Sequence, residues 1–235
     1  MALALLAGDG LVVDATVGVL RRVGLVDREG PVVSMHRLVQ TVLRERLSAT
    51  ERDGWAVRVL ELLERALPDP EDHLRWPEFE LLLPHVDAAI EHAVVPFAVS
   101  ARLLNQTGIY LIETARYKTA RANLQRALTI KEAVYGPDHP QVAITLTNLG
   151  NVQQALGDNE TARATLQRAL TIKEAVYGPN HPEVAITLGN LGNVQRALGE
   201  NETARATLQR ALTIFEAAYG PDHPSALQAR KILAG

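Results

Sequence analysis

Two stretches of 42 residues, Gln141 to Pro182 and Glu183 to Pro224, align without a gap and differ at seven positions. A chain that copies itself at such a period is not one irregular globule. Each copy is a small unit that cannot bury its own apolar face, so successive copies must stack and the ends must be closed. The register extends backwards. Ala127-Leu128-Thr129-Ile130 returns as Ala169 to Ile172 and as Ala211 to Ile214, and Gly136, Gly178 and Gly220 are each followed by Pro, one variable residue, His and Pro. The first copy is the most degenerate, with Ala115 in place of the turn glycine.

Within a copy the spacing predicts two helices. Val142, Leu146, Leu149 and Val152 recur at helical intervals and form one apolar stripe. Gly157 stops that helix through its ease at positive φ. Asp158 reads as the N-cap of the next helix, with Glu160 in its first turn. The second stripe is Ala162, Leu166, Ala169, Leu170 and Val176. Gly178-Pro179 ends it, and Pro182 opens a new helix where no backbone donor is needed.

Leu146, Leu149, Gly150, Gly157, Ala162, Leu166 and Ala169 fit the small and large positions of the tetratricopeptide repeat. The 42-residue period and the Gly-Pro-Asp/Asn-His-Pro loop resemble the longer variety found in kinesin light chain. The resemblance implies an all-α fold: a right-handed superhelical solenoid of three repeats over residues 98–224, closed by a capping helix over 225–235. It implies protein or peptide recognition and no enzymatic activity, with the first helix of each repeat lining a concave surface. Aligned by repeat, the inner positions are Asn105, Gln106 and Ile109, then Thr147, Asn148, Asn151 and Gln154, then Gly189, Asn190, Asn193 and Arg196. Asn offers both donor and acceptor, and two Asn three apart share a helix face. A ladder of them suits the unpaired backbone groups of an extended peptide. Asn105, Asn148, Asn151, Gln154, Asn190, Asn193 and Arg196 are therefore the candidate groove residues, and Arg196 favours an acidic ligand. The alternative is that these amides only cap and bridge neighbouring helices.

The N-terminal third follows different rules. Asp14 to Val23 reads as a helix capped by Asp14 and ended by Gly24. Leu25-Val26 and Val32-Val33 flank a polar turn, Asp27 to Gly30, and Ser34 can cap a helix whose apolar face is Leu38, Val39, Val42, Leu43 and Leu47. Helix, small β-hairpin, helix is the tail of a winged-helix unit, here residues 1–47. Met35-His36-Arg37-Leu38-Val39-Gln40 resembles the Met-His-Asp motif that closes the NB-ARC region of STAND-class signalling ATPases, although Arg37 departs from the Asp of that motif. The resemblance implies that His36 contacts nucleotide phosphate in an intact protein and that ATP or ADP is bound upstream of this chain. The local alternative is a helix-terminal histidine beside the wing. Residues 48–97 read as a helical linker. Ser48 and Glu51 form a capping box ahead of Trp55, Val59, Leu62, Leu63 and Leu67. Pro68 and Pro70 break that helix, and a further one spans Glu78 to Ala93 with Phe79, Leu82, Leu83, Val86 and Ile90 on one face.

Composition excludes several chemistries. Cysteine is absent, so disulfides, thiolate nucleophiles and Cys-ligated zinc are ruled out. No phosphate-cradling Gly-x-x-x-x-Gly-Lys-Ser/Thr and no Gly-x-Ser-x-Gly elbow occurs, so no cofactor and no catalytic residue is expected in this chain. His139, His181 and His223 recur one per repeat, too far apart to share a metal, and are expected to satisfy helix-start amides in their loops. The net charge of −3 and the two cations, Arg21 and Arg22, of the first helix argue against nucleic acid, and no run of apolar residues suits a membrane. The expected compartment is the cytoplasm. The leading reading is a non-catalytic interaction module, the sensor arm of a STAND-type regulator. The alternatives are a free-standing adaptor, a winged-helix DNA-binding regulator, and self-association through open solenoid ends, which Arg230 and Lys231 discourage.

Overall fold

The computed structural model describes residues 17–29, 32–35, 37–92 and 98–234. Its contacts divide the chain into two units, Met1–Leu103 and Leu104–Gly235.

In the first unit, α1 is helical over residues 17–22. It ends where Gly24 takes φ +68°. Gly24 N donates to Arg21 O and Leu25 N to Leu20 O, both at 3.0 Å. The expected cap, Asp14, lies outside the described residues. Strands β1 (Val26–Glu29) and β2 (Val32–Met35) pair antiparallel, Val26 opposite Met35 and Glu29 opposite Val32. The hairpin is tighter than its composition suggested. Asp27, Arg28 and Glu29, expected in the turn, are ladder residues. Ser34, expected to cap the next helix, pairs with Asp27 instead, so its backbone is committed to the sheet.

Helix α2 (Arg37–Arg46) leaves Leu38 and Val42 exposed, contrary to the expected buried face. A period of 3.6 says which residues share a face, not that the face is covered. Helix α3 (Ala49–Ala66) opens on the foreseen box. Ser48 Oγ accepts from Glu51 N at 3.3 Å, and the Glu51 carboxylate accepts from Ser48 N at 2.9 Å. Leu60, Leu63 and Leu67 are buried, but Trp55 is half-exposed under the guanidinium of Arg58, 5.1 Å from its ring. A short 3-10 turn, His73–Arg75, leads into α4 (Trp76–His92), which runs through Pro84 and buries Phe79, Val86 and Ile90. Helix α5 (Ala98–Glu113) carries Arg102, whose guanidinium is ion-paired with Glu64 of α3.

The second unit continues along α5 into an alternation of first and second helices: α6 (Tyr117–Tyr135), α7 (Pro140–Ala155), α8 (Asn159–Tyr177), α9 (Pro182–Ala197), α10 (Asn201–Tyr219) and α11 (Pro224–Ala234). Together with the small two-stranded sheet, this is the predominantly helical stacked architecture that the repeat demands. Each first helix approaches its own second helix closely because glycine stands at the crossing. A Cβ added at Gly108, Gly150 or Gly192 would come within 2.8, 2.6 or 2.5 Å of Leu124, Leu166 or Leu208. The first stripe behaves as read: Val142, Leu146, Leu149 and Val152 are buried. The second needs correction. Val176 is exposed, and Ile172 and Lys173 take the buried positions one turn earlier.

Each second helix ends at a glycine with φ of 86–89° and ψ of 157–165°, a region costly for any side chain. The chain then reverses into a histidine that starts the next first helix. Asp158, expected to cap α8, makes no cap bond. Its carboxylate accepts from Arg121 at 2.9 Å instead.

Candidate functional site

Successive first helices touch directly and form one wall of the stack. Thr145 Oγ1 donates to Asn105 Oδ1 at 3.2 Å, and Asn148 Nδ2 reaches the same oxygen at 3.4 Å. Thr147 Oγ1 lies 3.4 Å from Thr187 Oγ1. Asn123 of α6 donates to Thr107 at 3.2 Å. Second helices are tied by charge. Arg163 pairs with Glu200, while Arg168 and Arg210 pair with Glu132 and Glu174 of the preceding repeat at 2.6 and 2.7 Å. Arg168 and Arg210 also donate to the carbonyls of Pro137 and Pro179, 3.1 and 2.9 Å away.

The inner positions named from the sequence separate into two groups. Asn105 is buried, and Asn105 and Asn148 are joined to each other, which is the bridging role. Asn151, Gln154, Asn190 and Asn193 are half-buried, and among the described residues no hydrogen bond engages their side-chain amides. Arg196 is exposed, but one of its nitrogens donates to Ile232 O of α11 at 3.2 Å. Its guanidinium retains further donors. Sequence reasoning did not single out Thr145 and Thr187, which join the wall helices, nor Gln153 and Gln195, whose side-chain oxygens are buried without a partner. Their identity in successive copies was the available signal.

The three loop histidines are kept apart, each at its own helix start. Nδ1 of His139, His181 and His223 accepts from Gln141 N, Glu183 N and Ser225 N at 3.2, 3.1 and 3.3 Å. Each imidazole also stacks on the tyrosine before its loop, Tyr135, Tyr177 or Tyr219, with ring centroids 4.7, 4.9 and 4.5 Å apart. No cluster of three His, Asp or Glu able to hold a metal occurs among the described residues. His36, expected to reach nucleotide in an intact protein, lies outside the described residues.

Perturbed ionisation falls on caps, ion pairs and one shielded ring. Hydrogen bonds from Ser48 lower the Glu51 carboxyl, those from Arg102 lower Glu64, and those from Arg75 lower Glu78. Burial lowers the His85 imidazole. A shallow depression of about 280 Å³ lies at the turn between α7 and α8, lined by Gly157, Asp158, Glu160 and Leu198, not by the wall amides.

Comparison with known proteins agrees with this architecture. A model of the tetratricopeptide repeat matches residues 99–175, 147–217 and 187–235. BtubC (BKLC) from P. vanneervenii superposes with a TM-score of 0.61 at 17% identity, covering 83% of this chain and 75% of that one. A Podosopora anserina protein described as a putative kinesin light chain with nearly identical TPR-like repeats superposes, in a form carrying one substitution, with a TM-score of 0.61 at 18% identity. That match covers 78% of this chain and 85% of the other. The form without that substitution gives 0.59, 18%, 77% and 85%. At such identities these structures speak for the fold alone. No curated relative matches the sequence. Among the described residues no helix is long and apolar enough to cross a membrane. With matched residues running from 99 to 235, more than half of the chain, it belongs to the tetratricopeptide repeat family.

Proposed function

We propose that this chain is a non-catalytic module that holds an extended protein segment against the inner wall of its repeats. Tetratricopeptide repeats are protein-interaction modules. The observation that carries the finer reading is the set of wall amides, Asn151, Gln154, Asn190 and Asn193, half-buried and without a side-chain hydrogen bond among the described residues. One amide bond contributes only about 0.5–1.5 kcal/mol net. Micromolar capture requires about 8 kcal/mol, so several amides must act together with apolar burial. The only charge among the named wall positions is Arg196, which favours an acidic or neutral ligand over a basic one.

The unit before the repeats fits the same reading at a coarser level. Its helix, hairpin and helix support the closing part of a winged-helix unit over residues 1–47, followed by the helical linker over 48–97. In that setting the repeats over 98–224 and the capping helix over 225–235 would be the sensing arm of a STAND-type signalling ATPase in the cytoplasm. ATP or ADP would be held outside this chain, within reach of His36. A free-standing adaptor is the second reading. A DNA-binding regulator is disfavoured because α1 offers only Arg21 and Arg22, and a salt-sensitive shift of labelled duplex DNA would revive it.

The test is Asn151→Ala combined with Asn193→Ala. Binders selected from a displayed random-dodecapeptide library should lose capture by the double variant while its far-UV circular dichroism stays unchanged. Capture undiminished by the double variant rejects the groove.

A further inference from the structure

Helix α4 turns one apolar stripe inward and a second one outward. Phe79, Val86 and Ile90 are buried. On the other side Leu74, Pro77, Leu81, Pro84 and Ala88 are all exposed, Leu74 by 92% and Leu81 by 65%. Leu74 lies in the 3-10 turn that leads into the helix and is the most exposed of the large hydrophobics described. Single exposed leucines are ordinary on a protein surface. These residues are not scattered singly. Their spacings are three, four, three and four. That is a seam repeating every 3.5 residues, which keeps to one side of a helix. It runs for about four turns, or about 21 Å. A contiguous exposed apolar row of this kind marks a contact surface.

The flanks of the seam decide what it can meet. With Leu74, Leu81 and Ala88 at the a positions and the two prolines at d, the e and g positions between Leu74 and Ala88 are Glu78, Glu80, His85 and Asp87. Helix α4 contains no Lys or Arg. From Asp69 to Glu91, seven carboxylates stand against one Arg, Arg75, which pairs with Glu78 at 2.7 Å. An acidic rim repels phosphate, which disfavours nucleic acid and anionic lipid surfaces. It also repels its own copy, since two α4 seams face to face would set carboxylate against carboxylate. The complementary occupant is a helix with an apolar stripe of the same period and Lys or Arg along both flanks.

We propose that the outer face of α4 is a docking seam for a basic amphipathic helix of a partner protein. The partner's apolar side chains lie along Leu74, Leu81 and Ala88, and its cations meet Glu78, Glu80 and Asp87. The seam belongs to the first unit, whereas the wall amides belong to the second. It therefore stands whether or not that wall holds a peptide.

The experiment uses the full chain and two synthetic helices of about three heptads as probes, both with Leu at a and d and Ala or Gln at b, c and f. One carries Lys at every e and g position, the other Glu. Like charges on its flanks keep each probe from pairing with itself. Fluorescence anisotropy should show the Lys helix bound about tenfold more tightly than the Glu helix, the combined effect of several weak charge pairs. Leu81→Gln should weaken binding of the Lys helix about tenfold, because one leucine no longer becomes buried in the complex. Its far-UV circular dichroism should be unchanged, because Leu81 lies outside the core. Leu227→Gln, which alters an exposed leucine of α11, should leave binding as it was. Equal binding of the two probes would overturn the proposal, as would equal effects of Leu81→Gln and Leu227→Gln. Sedimentation of the full chain alone addresses the other occupant. A monomer agrees with the proposal; a dimer that Leu81→Gln dissolves would make the seam a contact between copies and reject the partner helix.

Discussion

At the scale of single residues, the turn between first and second helix is the cleanest comparison. Gly157 and Gly199 hold φ of 84° and 80°, and Ala115 holds 57° at the same point of the first repeat. Alanine in this region is strained by about 1–2 kcal/mol. Replacing it by glycine loosens the unfolded chain by about 0.4–1 kcal/mol. Ala115→Gly should therefore stabilise the repeats by about 0.5–1 kcal/mol, and Gly157→Ala should cost a similar amount, because no atom lies within 4 Å of the new Cβ. Urea midpoints of the two variants should move in opposite directions; movement in the same direction would refute the strain argument. Ala115 was visible in the sequence as a departure from the repeat. The buried lysines were not. Lys131 and Lys173 are buried because each ammonium finds a carbonyl of the next helix, Gln141 O at 3.2 Å and Glu183 O at 3.3 Å. Such a partner is invisible until the helices are stacked. The hint was Phe215, which occupies the same position in the last repeat.

At the scale of elements, the two helix types begin by different devices. The first helices α7 and α9 take a histidine cap and a proline at the first turn. Second helices have no side-chain cap and are held by the turn itself, as when Asp158 N donates to Gln153 O and Glu200 N to Gln195 O, both at 2.9 Å. The sequence showed where helices start but not which groups close them, because a residue such as Asp158 can serve a cap or an arginine, and packing decides. His181→Ala should cost about 1 kcal/mol for the cap. His181→Asn should recover that part while losing the stack on Tyr177. Chemical denaturation that ranks Asn no better than Ala would mean that the stack, not the cap, matters. In the first unit, the ion pair between α3 and α5 has a pH signature. Arg102 lowers the folded Glu64 carboxyl, so its contribution to stability is complete above the ordinary carboxylate range near 4 and is lost as pH falls through the lowered value. The stability difference between wild type and Glu64→Gln should shrink on acidification; a difference constant with pH would exclude the pair as its source.

At the scale of the molecule, the repeats were legible because the chain could be compared with itself. Two near-copies that share a residue vote twice for its role. The first unit has no second copy, and there Ser34, Leu38 and Trp55 misled: a motif or a period identified the element, but not the surface that would cover it. The same self-comparison shows how the array marks its end. At the internal interfaces Lys131 faces Gln141 and Lys173 forms a 2.9 Å ion pair with Glu183. At the last interface the corresponding residues are Phe215 and Ser225. Phe215 packs with Leu212, Val184, Ala226 and Ala229 in one apolar cluster that binds α11 to the stack. The pair changes together, so α11 is matched to α10 as a terminal helix and not as the start of another ordinary repeat. Phe215→Lys should then bury an ammonium without a carboxylate and cost about 3 kcal/mol or more. Adding Ser225→Glu rebuilds the pairing of the internal interface and should recover most of that loss. A double-mutant cycle on urea unfolding, with proteolysis of α11 as a second readout, reads the coupling directly. Additive effects of the two substitutions would show that the end of the stack is not specified by this pair, and the closing role of α11 would have to come from the remaining cluster residues alone.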